Sequence, residues 1–165
     1  MSKIIINSEL EVFDQNQDQF KQLESLIFKA ENNLKNAYAP YSNFLVSCAI
    51  ELDNGETVFG TNQENAAYPS GLCAERVALF HVGSNYPARK IKRMLIVAHS
   101  ENVKIESPIF SCGACLQVMK ESEDRNGSEY EIYLKIAGEN QLLYRAIGVK
   151  TFLPFSFGKD MLIKE

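Results

Sequence analysis

Apolar residues at Phe20, Leu23, Ile27, Ala30, Leu34 and Tyr38 recur at steps of three and four, the spacing that gathers side chains on one face of a helix. The pattern predicts a helix over about Asp18–Ala37, with Pro40 placed to end it. Beyond Pro40 the period shortens. Leu45–Leu52 and Thr57–Thr61 flank Asp53-Asn54-Gly55, a turn-forming cluster, and read as the strands of a hairpin. Ala74, Val77, Ala78 and His81 suggest a helix that begins at Cys73 and closes at Gly83. Met94–Ala98 is a compact apolar run, typical of a buried strand. Cys112 opens a further helix to about Glu121. Tyr130–Ala137 and Leu142–Val149 alternate as two more strands, and Asp160–Lys164 is a candidate terminal helix. This order of elements predicts an α/β fold with a mixed sheet.

The chain of 165 residues shows no internal repeat and no Gly/Ser- or Pro-rich linker, so residues 1–165 are expected to form one domain. A formal net charge of −4 without a Lys/Arg-rich run argues against nucleic acid as the partner and favours a small molecule. No stretch approaches the length of a membrane span, and the start at Met1–Asn7 lacks the pattern of an export signal. The expectation is a cytoplasmic protein with no membrane partner, and in a reducing compartment its four cysteines suit metal binding or catalysis better than disulfides.

Cys112-Gly113-Ala114-Cys115 places two sulfurs on one side of a helix start, close enough to share a metal ion. Taken alone, the pair also suits thioredoxin-type redox chemistry, or two small buried hydrophobes. Cys73-Ala74-Glu75-Arg76 shifts the balance, because it puts a third soft ligand, a carboxylate and a cation at the start of another helix. Three cysteines would fill three of the four positions around a zinc ion and leave the last for water, the arrangement of a catalytic site. Positions two apart on a helix point to nearly opposite sides. Cys73 and Glu75 can therefore serve one site only if Cys73 stands at the non-helical edge of the turn. Three thiolates would leave the centre negative, and Arg76 is the residue placed to donate to the sulfurs and offset that charge. Cys48 sits among Val46 and Ala49 as a core residue, and His81 and His99 read as structural histidines.

Four ordered segments carry a resemblance to the cytidine deaminase family: Ala37-Tyr38-Ala39-Pro40-Tyr41-Ser42-Asn43-Phe44, Asn62-Gln63-Glu64-Asn65-Ala66-Ala67-Tyr68-Pro69, Cys73-Ala74-Glu75-Arg76 and Cys112-Gly113-Ala114-Cys115. Leu153-Pro154 followed by Phe157 is similar to the family's C-terminal signature, so the resemblance spans roughly Phe20–Gly158 and leaves residues 1–15 outside it. It implies a three-layer α-β-α fold around a mixed five-stranded sheet, with one zinc ion per chain on Cys73, Cys112 and Cys115. It also implies hydrolytic deamination of cytidine and deoxycytidine in pyrimidine salvage, with Glu75 as the catalytic residue that moves protons near the metal without ligating it. Residue by residue, Asn62 and Glu64 would bind the sugar hydroxyls, Phe44 would pack against the pyrimidine and Ala74 would join the substrate contacts. The resemblance further implies a homotetramer or homodimer, in which Phe157 of one copy closes the site of another.

The chain departs from the family pattern at Phe110, Ser111 and Leu116, which border the metal ligands in sequence, and at Ser47-Cys48, where a Gly-Ala pair is usual. The first three keep open a related deaminase for another amino-heterocycle, such as a blasticidin S-type substrate. A non-catalytic zinc staple is the third alternative, opposed by Glu75 and by the lack of a fourth ligand in register. Ile4-Ile5-Ile6 is a candidate extra edge strand with no further assigned role.

Overall fold

The computed structural model describes residues 2–138 and 142–162. Its elements run β1 (Glu11–Asp14), α1 (Asp18–Asn33), β2 (Phe44–Leu52), β3 (Thr57–Thr61), α2 (Ala74–Asn85), β4 (Ile91–Ser100), α3 (Gly113–Asn126), β5 (Glu131–Ile136) and β6 (Leu142–Ile147). The strands form one sheet in the order β1-β6-β5-β4-β2-β3. Among the described strands β4 and β5 pair in parallel, with α3 as the crossover between them, while the other strand pairs are antiparallel.

The alternation of side chains along the central strands divides the core into two layers. Cys48, Ile50 and Leu52 of β2, Met94 and Ile96 of β4, and Ile132 and Leu134 of β5 face one side, where they pack with Ala74, Ala78, Leu79 and Val82 of α2 and Leu116 and Met119 of α3. Ala49, Leu95, Val97, Tyr133 and Leu143 face the other side, beneath Phe20, Leu23, Leu26, Ile27 and Ala30 of α1. The result is the expected three-layer α-β-α arrangement, and it explains the unbroken apolar run in β4, which is covered on both faces.

Several boundaries differ from the sequence-based expectation. The sheet has six strands where five were expected, because β1 adds to the edge through antiparallel pairing of Glu11–Asp14 with Leu142–Arg145. Ile4–Ile6 is not that strand: residues 2–10 carry no regular secondary structure. Phe13 of β1 packs against the α1-side core and lies beneath the Arg145 guanidinium, 5.3 Å from its ring centroid, which anchors β1 in a way three exposed isoleucines would not. α1 gives way to a 3-10 turn over Leu34–Asn36, and the chain is extended at Ala37, three residues before Pro40. Tyr38 consequently lies outside the buried stripe and is exposed. α2 runs through Gly83 to Asn85, and its buried face is Ala74, Glu75, Ala78, Leu79 and Val82, with His81 at the surface. α3 extends past Glu121 to Asn126, where Gly127 at φ 71° supplies the left-handed closing residue. At the C-terminus a 3-10 turn, Lys159–Met161, stands where a helix was expected, and residues 163–164 of that expectation lie outside the described residues.

One close approach positions the functional half of the molecule. A Cβ added to Gly60 of β3 would stand 2.5 Å from Ala78 N and 2.6 Å from Ala74 O, both backbone atoms of α2. Only glycine lets the first turns of α2 rest directly on the sheet. Gly60→Ala must displace the helix, and a loss of about 3 kcal/mol, or roughly 10 °C in Tm, is expected from calorimetry. An unchanged Tm would show that α2 is free to move.

Candidate active site

Cys73 and Cys112 are the N-cap residues of α2 and α3. Both have extended backbones, with ψ 154° and 162°, and neither side chain makes a capping hydrogen bond. This is the non-helical placement that Cys73 needs to serve the same site as Glu75. The two caps, with Cys115 in the first turn of α3, bring three sulfurs together within 4.8 Å of one another. Cys73 Sγ and Cys112 Sγ are 3.9 Å apart, and Cys112 Sγ and Cys115 Sγ 3.5 Å. Sulfurs on one tetrahedral zinc, each about 2.3 Å from the metal, stand about 3.8 Å apart, so the donor set fits that ion with little adjustment.

The electrostatics suit thiolates. Two helix N-termini point their partial positive charge at the cluster. Arg76 Nη2 donates to Cys73 Sγ at 3.6 Å. The Cys73 thiol is held down to about 5, chiefly by a hydrogen bond from Cys115, with Arg76 and Cys112 adding to the effect against the cost of burial. Cys115 is pushed in the opposite direction, because it supplies the proton of that shared bond, is buried and lies near Glu75. The neighbouring Cys48 is a fully buried core residue whose thiol is raised by desolvation, as its packing role predicts.

Beside the cluster lies a cavity of about 660 Å³, a size suited to a small organic ligand. Its wall includes Cys73, Ala74, Glu75, Arg76 and Cys112, together with Phe44, Asn62 and Glu64. Glu75 is only 5% exposed. The Asn62 amide is partly committed to the fold: Nδ2 donates to Phe44 O at 2.8 Å and Oδ1 accepts from Val46 N at 2.8 Å.

Residues 20–127 match the family model described as the cytidine and deoxycytidylate deaminase zinc-binding region. The chain belongs to the cytidine deaminase family. A cytidine deaminase of Sporosarcina psychrophila is 34% identical over 140 residues, covering 85% of this chain and 94% of the relative. A cytidine deaminase of Mycoplasma genitalium is 39% identical over 138 residues, covering 84% and 97%. Among solved structures, the cytidine deaminase of Burkholderia pseudomallei superposes with a TM-score of 0.65 at 33% identity, covering 81% of this chain and 98% of that one. The matched region is a zinc-binding one, and the Cys73, Cys112 and Cys115 cluster within it is suited to hold a metal ion.

Seen as a cytidine deaminase-family pocket, the cavity gathers Phe44, Asn62, Glu64, Ala74 and Glu75, but Phe157 does not line it. Phe157 is 53% exposed, and its carbonyl accepts from Gln117 Nε2 at 2.9 Å. Of the three departures from the family pattern, only Phe110 reaches the cavity wall, where its ring lies 5.9 Å from that of Phe152. Leu116 is buried in the core beneath α3, and Ser111 is not part of the wall. Tyr41, Ser42, Tyr68 and Ile109 also line the cavity, although sequence reasoning assigned them no part. Tyr41, Ser42 and Tyr68 stood inside the quoted motifs, so position in the motif was the available signal.

Proposed function

We propose that this protein is a zinc-dependent cytidine deaminase, converting cytidine and deoxycytidine with water to uridine and deoxyuridine plus ammonia. The observation that carries the reading is a three-sulfur cluster, two of whose cysteines, Cys73 and Cys112, line one cavity together with the buried Glu75 and with Asn62 and Glu64, the pair placed to receive a sugar. Zinc on Cys73, Cys112 and Cys115 supplies the Lewis acidity that makes water nucleophilic at neutral pH. Glu75 would take one proton from the attacking water and pass it to the ring nitrogen, then take the second from the resulting hydroxyl as the carbonyl forms and pass it to the amine, which leaves as ammonia. Its near-complete burial keeps bulk water from competing for those protons. Arg76 draws negative charge from the sulfurs through its bond to Cys73. Phe44 offers the base an apolar face, Ala74 leaves room for it at the start of α2, and Asn62 and Glu64 receive the sugar.

Residues 1–165 act as one domain in this reading, supported by the pairing of β1 with β6 across the length of the chain. The assembly is a homotetramer, or failing that a homodimer. Phe155 and Phe157 are 73% and 53% exposed outside the protein's own cavity, which suits closure of a neighbour's site. Reliance on free thiols at the metal site fits a cytoplasmic place in pyrimidine salvage; no helix among the described residues is long and apolar enough to cross a membrane. The test is incubation of zinc-loaded protein with cytidine, followed by the loss of ultraviolet absorbance that accompanies conversion to uridine. Steady turnover supports the reading. A zinc-replete protein that leaves cytidine untouched would overturn it in favour of another amino-heterocycle, the alternative that Phe110 on the cavity wall favours.

A further inference from the structure

Glu64 follows β3 on the loop that borders the cavity, and three donors from a separate loop hold its carboxylate. Tyr41 N and Ser42 N donate to Oε2 at 2.8 and 3.3 Å, and the Ser42 hydroxyl donates to Oε1 at 2.5 Å. The same Ser42 Oγ accepts from Phe44 N at 3.0 Å. Asn43, between them, adopts φ 52°, the left-handed conformation that asparagine tolerates, and so turns the Phe44 N–H back onto the hydroxyl. These bonds hold the Glu64 carboxyl below its ordinary range, with the Ser42 hydroxyl the largest cause.

A carboxylate has about four lone-pair directions. Two main-chain N–H groups occupy Oε2, and the Ser42 hydroxyl takes one direction on Oε1, leaving one direction on Oε1 for an incoming donor. Without the hydroxyl, Oε1 is unrestrained and Phe44 N loses its acceptor.

We propose that Ser42 is a positioning residue for nucleoside binding: its hydroxyl orients Glu64 toward a sugar hydroxyl and ties that carboxylate to the backbone of Phe44, against which the base packs. The inference rests on the nucleoside reading above, in which Glu64 receives the sugar. Ser42 is itself exposed, so its truncation opens no core cavity and leaves the two main-chain bonds to Glu64 in place.

The test is calorimetric titration of the zinc-loaded wild type, Ser42→Ala and Ser42→Thr with uridine, the unreactive product, and with its dideoxy analogue, which lacks the secondary sugar hydroxyls. Ser42→Ala is expected to weaken uridine binding about tenfold and binding of the dideoxy analogue by less than about twofold. Ser42→Thr, which keeps a hydroxyl, is expected to hold uridine within about threefold of wild type. A purely structural loop residue would weaken both ligands alike, and that result overturns the proposal. So does an alanine variant that binds uridine as the wild type does. A wild type that binds neither uridine nor cytidine would overturn the nucleoside reading, and the Ser42 role with it, and is told apart by appearing before any substitution is made.

Discussion

Glu75→Gln is expected to lower kcat for cytidine by about 10³- to 10⁴-fold while zinc content stays at the wild-type level. Glutamine keeps the size of the side chain and one acceptor oxygen, so the cavity should survive, but it cannot accept and return a proton at neutral pH. The side chain is only 5% exposed and lies at the start of α2, within the wall that includes Cys73 and Cys112. Bulk buffer therefore has little access to substitute for it. Steady-state kinetics beside zinc analysis distinguishes the outcomes: loss of turnover with one zinc per chain assigns the proton transfers to Glu75, whereas loss of zinc would make it a residue that supports the metal. Near-normal kcat would remove it from the chemistry.

The second large effect is expected on removing the metal centre. Cys115→Ser replaces a fully buried thiol by a hydroxyl that does not ionise near neutral pH, and zinc content should fall to near zero with undetectable turnover. Chelation of the wild type should act in the same direction. Zinc at about 1,000 times its dissociation constant stabilises the state that binds it by about 4 kcal/mol, which in a chain of this size is roughly 10 °C in Tm. The effect has a structural basis, because the ion would join the first turns of α2 and α3, whose buried side chains share one core layer. Scanning calorimetry with and without chelator, alongside metal analysis, is the measurement. Full activity and an unchanged Tm after complete removal of zinc would exclude these sulfurs from any metal-dependent mechanism.

The site was more legible than the fold around it. Cys73, Glu75, Cys112 and Cys115 could be picked out because metal and proton chemistry need particular residue types at short spacings, and those spacings survive into the helix starts that hold them. The condition that Cys73 lie outside the helix followed from helical geometry alone, and its ψ of 154° meets it. By contrast, Phe157 is not among the residues that line the cavity of its own chain, and a part in a neighbour's site, as proposed above, would leave no mark on local spacing. Leu116 follows Cys115 directly, yet the two neighbours serve different ends: one faces the sulfur cluster, the other the core beneath α3.

The hydrophobic pattern by itself determined the helix of α1, the hairpin of β2 and β3, the buried strand β4 and the α/β class, because each depends on the side-chain pattern within one element. The tertiary structure decided the rest. It set β1 against β6, chose which face of α2 is buried, required Gly60 beneath that helix and placed Lys135 of β5 under α1, paired with Glu31 at 3.2 Å. Nothing local to β5 distinguishes Lys135 from a solvated lysine. These features depend on which surfaces meet across long stretches of chain, and a hydrophobic period records only that a face will be covered, not what covers it.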